Sequence, residues 1–346
     1  MNTTFSGLPP GTRMTSLSGG RNSKVFLVQP PGSEPFILKR YFRNPADGRD
    51  RQGNEAMALR FFEKAGIESV PRLLRLDKDR QVSILSYIEG TKVTDPTTRD
   101  INLAVEFLTD LIRLSTTEEA LKEEFSPASE AFFSVMDILK NIEMRLARLE
   151  QVTEECPLYR ELIDFLCHQL RPAQAKFADH CRESLQSQGI GLEEYIPNAW
   201  RILSPSDFGM HNTLKRQDGR LSFLDFEYFG WDDPAKILAD FCLHPAMNLN
   251  ETLRQRFLSG MLPSLTTKGY DSQRAIALFP LFGIKWCCIL LNEFMPYDLA
   301  RRGFAGNGVH EAYEQILTRQ LDKARIILST LDSRADIFSR QLAANR

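Results

Sequence analysis

The sequence predicts an α+β protein in two unequal parts: a small β-rich part up to about Gly90, then a larger, mainly helical part. Three observations predict it. Short runs rich in β-branched and aromatic residues fill Lys24 to Tyr87 around one helical pattern. Helical periodicity takes over from Arg99, and only the stretch between Ala199 and Phe226 interrupts it, with two or three short strands. The 346 residues suffice for two domains, expected at 1–90 and 91–346.

In chain order, the first strands expected are Lys24 to Val28, Pro35 to Phe42 and Val82 to Tyr87, each bounded by turn-forming clusters. Between the second and third, Gly53 to Ala65 places Glu55, Leu59 and Phe62 at i, i+4 and i+7, on one helical face. A glutamate on an otherwise apolar face requires a partner. Beyond Gly90, helices are expected at Arg99 to Leu114, Glu130 to Leu149, Tyr159 to about Leu185, Asp271 to Phe294 and Glu311 to Leu331. Asp233 before Pro234 reads as an N-cap followed by a first helical residue.

Composition narrows the function classes. A net charge of −2 offers no broad cationic surface, so neither nucleic acid nor membrane is expected as partner, and a small molecule is. The N-terminal Met-Asn-Thr-Thr-Phe lacks the basic segment and apolar core of a secretory signal, so a cytoplasmic protein is expected. The longest apolar stretch, Ala275 to Leu291, contains Pro280 and Lys285 and reads as a buried helix rather than a span of about 20 residues. Cys156, Cys167, Cys181, Cys242, Cys287 and Cys288 show no metal-ligand spacing, so reduced, mostly buried thiols are expected.

The most informative segment runs from Leu203 through Pro205, Ser206, Asp207, Gly209 and His211 to Asn212, then resumes as Leu221 to Phe223, Asp225, Phe226 and Glu227. Between them, Asp218-Gly219 signals a two-residue hairpin turn. That turn would pair 217 with 220, 214 with 223 and 212 with 225, setting Asn212 opposite Asp225 with Cβ atoms about 5 Å apart. Two hard oxygen donors would then converge as Mg²⁺ prefers, with Asp207 beside the ion.

Asp207, Asn212 five residues on, a hairpin and then Asp225-Phe-Glu227 resemble the catalytic loop and metal segment of the aminoglycoside-phosphotransferase and choline-kinase family. The resemblance, which covers Leu17 to about His244, implies a bilobal protein-kinase-like fold and transfer of the γ-phosphoryl group of ATP or GTP to a hydroxyl of a small molecule. It implies Asp207 as the base that orients that hydroxyl, and Asn212 and Asp225 as Mg²⁺ ligands. Lys39, in Phe36-Ile-Leu-Lys39, matches the strand lysine that contacts the phosphates, and Glu55 the helix carboxylate that fixes it. Gly19, Gly20, Arg21, Asn22 and Ser23 resemble the phosphate-covering loop, and Ile84 to Gly90, with Ser86 and Ile88, the hinge on which adenine sits.

Each piece taken singly also has a plainer reading. Gly19-Gly20 suits a simple turn, Lys39 a solvated edge, Glu55 an exposed helix position, His211 a structural filler and Glu227 a solvated surface. Tyr228, Phe229, Trp231 and Trp286 suit either an acceptor wall or the core. The order of the set favours function. One departure stands out: the family's His two places before the catalytic Asp is Pro205 here, which leaves open a non-catalytic nucleotide-binding pseudokinase acting as an interaction module. A protein Ser/Thr kinase is disfavoured, since no Ala-Pro-Glu follows Asp225. The pattern specifies neither the acceptor, whether aminoglycoside, amino alcohol or sugar, nor an oligomeric state.

Overall fold

The computed structural model describes residues 8–17, 23–42, 48–152, 157–247, 249–295 and 313–344. Strands β1 (Arg13–Leu17), β2 (Ser23–Gln29) and β3 (Phe36–Tyr41) precede helix α1 (Arg51–Lys64), and β4 (Leu73–Asp77) and β5 (Val82–Ser86) follow it. The five strands form one antiparallel sheet in the order β1-β2-β3-β5-β4. β2, β3 and β5 fall where expected. β1 and β4 are additional; both are sheet edges, and β1 is exposed along its whole length, so neither shows the buried-face alternation that marks a strand in sequence.

Asp50 caps α1 by accepting from the Gly53 N–H. The helix buries Glu55, Leu59 and Phe62 together, as their spacing requires. Its apolar face docks on the helical part: the Phe62 ring meets Phe226 at 4.9 Å and Phe229 at 5.1 Å, edge to face. The sheet itself keeps only a small core of Val28, Leu38 and Val82.

The second part opens with β6 (Thr91–Lys92), α2 (Thr98–Leu114), α3 (Glu118–Lys122) and α4 (Val135–Glu150). α4 starts after Glu130, the expected opening residue, because Glu130 lies at φ 58° and Ser134 caps instead. The run expected from Tyr159 to Leu185 is one helical stretch: α5 (Pro157–Phe165), a π turn at Leu166–Leu170, and α6 (Arg171–Gln186). Short strands β7 (Ile202–Ser204), β8 (Thr213–Lys215), β9 (Leu221–Phe223) and β10 (Gly230–Asp232) then lead into α7 (Pro234–Leu243). Asp233 caps α7 as expected, accepting from the Ala235 N–H.

α8 (Glu251–Thr267) has no counterpart among the expected helices, because Gly260 and Pro263 interrupt its pattern. Gly260 is where Val105 of α2 packs: a Cβ there would lie 2.8 Å from the valine side chain. α9 (Ser272–Leu291) is long and apolar enough to cross a membrane, yet 78% of that apolar window is buried inside the fold, as befits a core helix. α10 (Tyr313–Ala343) packs on α9 and runs past the expected Leu331. Among the described residues Cys181, Cys242, Cys287 and Cys288 are buried free thiols and Cys167 is an exposed one.

The hairpin differs from its expected register. Thr213 pairs with Phe223, Leu214 with Ser222 and Lys215 with Leu221, and the Leu224 N–H donates to the Asn212 carbonyl (2.9 Å). Asn212 therefore faces Leu224, not Asp225. The physical reason is the turn. A two-residue type I′ turn needs positive φ at both central residues, but only Gly219 takes it, at 80°. The loop is instead Gln217-Asp218-Gly219, closed by Arg216 and Arg220 (2.9 Å).

Candidate active site

Lys39 reaches across the junction of the two parts. From β3 its Nζ donates to Glu55 Oε1 on α1 (3.1 Å) and to Asp225 Oδ1 just beyond β9 (2.7 Å). Glu55 is held from two further sides, by the Tyr41 hydroxyl and by the Phe226 N–H (3.0 Å). The buried glutamate thus has the partner its helical face demanded. Burial alone would lower the Lys39 pKa, but Asp225 and Glu55 outweigh it and raise it well above the usual lysine value, so the residue stays charged.

Asp225 reaches this position by backbone conformation rather than cross-strand pairing. It lies at φ 67°, a left-handed value rare outside glycine, which turns its carboxylate toward Lys39 as the strand ends. Glu227, two residues on, is buried rather than solvated, 3.6 Å from Lys39 Nζ and 3.8 Å from Arg51 Nε. Burial and the neighbouring Asp225 push its carboxyl up to about 7, against the pull of Lys39. Asp225 is raised too, by burial first, with Glu55 and Asp207 adding to it against Lys39.

Around this point three carboxylates, Glu55, Asp225 and Glu227, face two cations, Lys39 and Arg51. Carboxylates outnumber cations in these pairs and the donors are hard oxygens, which fits a divalent Mg²⁺. Asn212 is the other oxygen-bearing candidate. Its amide NH₂ donates to the Asp207 carbonyl (2.9 Å), so the amide oxygen is the group left to meet a cation.

Asp207 sits in the loop after β7, its side chain about a third exposed. His211 Nε2 lies 3.2 Å and His244 Nε2 3.3 Å from the same oxygen, Oδ1. Burial would raise this carboxyl, but the hydrogen bonds from the two imidazoles hold it well below the usual carboxylate range. His211, read as structural, is so placed, and what it satisfies is Asp207 itself. His244 carried no local signal, because it lies beyond α7, far along the chain from the motif.

The loop carries Pro205 where the family has a bracing histidine, and another network holds it. Ser206, at φ 67°, donates its hydroxyl to the Ser129 carbonyl (2.6 Å) and accepts from Lys236 Nζ (2.8 Å). Lys236 is buried and pairs with Asp232 (3.0 Å) and Asp240 (3.5 Å). Asp240 accepts from the Trp286 indole (2.8 Å), and Trp286 meets the His244 ring edge to face at 4.6 Å. Trp286 thereby belongs to the site, whereas Phe229 is buried against Phe62 and Phe125 and is core. Asp233, bound to Arg274 at 2.7 Å, is structural.

The remaining sequence candidates are placed as follows. Gly19, Gly20, Arg21 and Asn22 lie outside the described residues, and Ser23, buried, opens β2. Ser86 ends β5 beside β3, where its hydroxyl accepts from the Arg72 N–H (2.9 Å); Ile88 follows, half-buried, in the link to β6.

The sequence matches the family model described as the phosphotransferase enzyme family over residues 13–272. By sequence, no curated protein matches significantly. Solved structures align over nearly the whole chain. Plasmodium vivax ethanolamine kinase is 14% identical with a TM-score of 0.57, covering 92% of this chain and 83% of that one. A choline/ethanolamine kinase family protein from Mesorhizobium loti is 17% identical with a TM-score of 0.55, covering 96% and 92%. A spectinomycin phosphotransferase, solved with ADP and spectinomycin, is 11% identical with a TM-score of 0.59, covering 90% and 93%. The small sheet, the larger helical body and these likenesses together make the fold bilobal and kinase-like.

Proposed function

The chain belongs to the phosphotransferase enzyme family, and we propose that within it this protein is a nucleotide- and Mg²⁺-dependent kinase acting on a hydroxyl of a small molecule in the cytoplasm. The observation that carries this reading is the bridge from Lys39 Nζ to both Glu55 and Asp225, residues drawn from three separate segments onto one ammonium. Residues 1–90 would hold the nucleotide, with the Gly19 to Ser23 loop on its phosphates and Ser86 and Ile88 along the adenine. Residues 91–346 would supply Asp207, the metal ligands and the acceptor pocket.

Bound Mg²⁺, held by Asn212 and Asp225, would neutralise phosphate charge as it develops. Lys39 would turn from Asp225 toward the phosphates, kept extended by Glu55. Asp207 would accept the hydroxyl proton on Oδ2, because Oδ1 is committed to His211 and His244. The acceptor oxygen then bonds to the γ-phosphorus while the bond to the β–γ bridging oxygen breaks, its electron pair leaving with the nucleoside diphosphate. This positioning and charge balance are the main demands of phosphoryl transfer.

The pseudokinase reading rested on Pro205. Two devices answer it: the imidazoles on Asp207 and the Lys236 brace under Ser206. The decisive experiment screens hydroxyl-bearing metabolites, with amino alcohols, sugars and aminoglycosides among them, for stimulated release of ADP or GDP in the presence of Mg²⁺. Release abolished by Asp207→Asn is the expected result. Calorimetry that detects no complex with Mg²⁺ and either nucleotide would refute the proposal.

A further inference from the structure

We infer that His244 is a positioning residue for the phosphoryl-transfer step, a fixed hydrogen-bond donor that takes over, from the far end of α7, the bracing function that Pro205 cannot perform.

The tautomer follows from its neighbours. The Ala246 N–H donates to His244 Nδ1 (3.1 Å), so Nδ1 is the unprotonated nitrogen and Nε2 carries the hydrogen. Nε2 lies 3.3 Å from Asp207 Oδ1, and a carboxylate can only accept, so it is the protonated edge of His244 that faces this oxygen. Burial lowers the His244 pKa, which keeps the ring neutral and this tautomer in place.

The ring is also fixed mechanically. It stacks on His211 with centroids 4.1 Å apart and planes 9° from parallel, while Trp286 closes its other approach at 4.6 Å. Trp286 is itself tied to Asp240 (2.8 Å), whose carbonyl accepts from the His244 N–H (2.8 Å). The imidazole therefore has a set direction as well as a set proton. Asp207, His211 and His244 bring their donor atoms within 4.8 Å of one another, close enough for a metal ion. The protonated Nε2 edge of His244 offers no lone pair to one, so donation to the carboxylate is the use this geometry serves.

The mechanical consequence is selective. With Oδ1 held by N–H donors, Asp207 cannot rotate freely about its side-chain bonds, and Oδ2 stays aimed at the incoming hydroxyl. The His244 ring contacts Asp207, His211 and Trp286 rather than the residues assigned to nucleotide or metal, so its loss should lower turnover and leave nucleotide binding alone. A displacement of about 1 Å at a reacting group costs on the order of 10²-fold in rate.

The inference rests on the role proposed for Asp207, and the experiment separates the two. Hydrolysis of Mg²⁺-ATP or Mg²⁺-GTP, with water as acceptor, is measured for the full-length chain, His244→Ala and His244→Gln, alongside nucleotide affinity by calorimetry and melting temperature. The Gln amide nitrogen reaches where Nε2 stood, so His244→Gln should recover most of a roughly 10²-fold fall in kcat seen for His244→Ala, with nucleotide KM within about twofold throughout. Equal losses in both variants, or a rise in nucleotide KM matching the fall in kcat, would overturn the positioning role while leaving the kinase reading intact. An unsubstituted protein that neither binds nor hydrolyses Mg²⁺-nucleotide would remove both.

Discussion

Among the described residues, two buried clusters set lysine against carboxylate, and they do opposite jobs. Lys39, with Arg51, faces Glu55, Asp225 and Glu227, so carboxylates outnumber cations there, although Glu227, pushed up to about 7, carries only part of its charge near neutral pH. Lys236, with Lys285, faces Asp232 and Asp240, so that cluster is balanced. An unbalanced buried cluster costs desolvation that its own members do not recover, and it holds a standing attraction for a cation. The balanced cluster has no such appetite and serves as a strut beneath the Ser206 loop. Charge inventory thus separates a binding site from a brace, although the residue types are the same.

The largest effect that tests this contrast is on the brace. Lys236→Met should lower unfolding free energy by about 3–5 kcal/mol, because Asp232 is left buried without its cation, and Mg²⁺ should not restore it. Chemical denaturation with and without Mg²⁺ reads both points; an unchanged midpoint would end the strut interpretation. Next comes the site itself. Asp225→Asn removes one negative charge from the overcharged cluster, so stability should hold or rise while kcat falls by roughly 10²–10³. A loss of stability comparable to that of Lys236→Met would erase the distinction between the clusters.

The smallest effect concerns pH. The folded pKa of Glu227, about 7, lies above its ordinary 4.5, so folding favours the protonated form. That contribution is fully present below pH 4.5 and is lost as pH rises to about 7. Without metal, unfolding free energy should decline across this window by on the order of 3 kcal/mol at most. Mg²⁺ added near pH 7.5 should recover part of it. A flat profile that ignores Mg²⁺ would show the excess charge to be compensated elsewhere.

Legibility in the sequence followed the range of the interaction. Glu55 was visible because a helix repeats on a short period, and its partner could be sought on the adjacent strand; the pair is there. The order Asp207, Asn212, Asp225 was visible because it is carried on one hairpin. The means of assembly was not: whether Asp-Gly forms a two- or three-residue loop depends on which residue takes positive φ, and only tertiary packing decides that. His244 and Lys236 were invisible for a different reason. Each meets the Asp207 loop through α7, and no local pattern reports a contact made by chain return. β1 escaped because an exposed edge strand has no alternation to betray it.

Ser206 and Asp225 share a backbone angle of 67°. Residues other than glycine adopt it at a cost of about 1 kcal/mol each, strain that glycine would relieve at either place. At Ser206 it would delete the hydroxyl that Lys236 grips, and at Asp225 the carboxylate itself. Relief of backbone strain at these two positions therefore comes only with the loss of a partner to a buried lysine, so any hardening of this protein has to begin elsewhere in the chain.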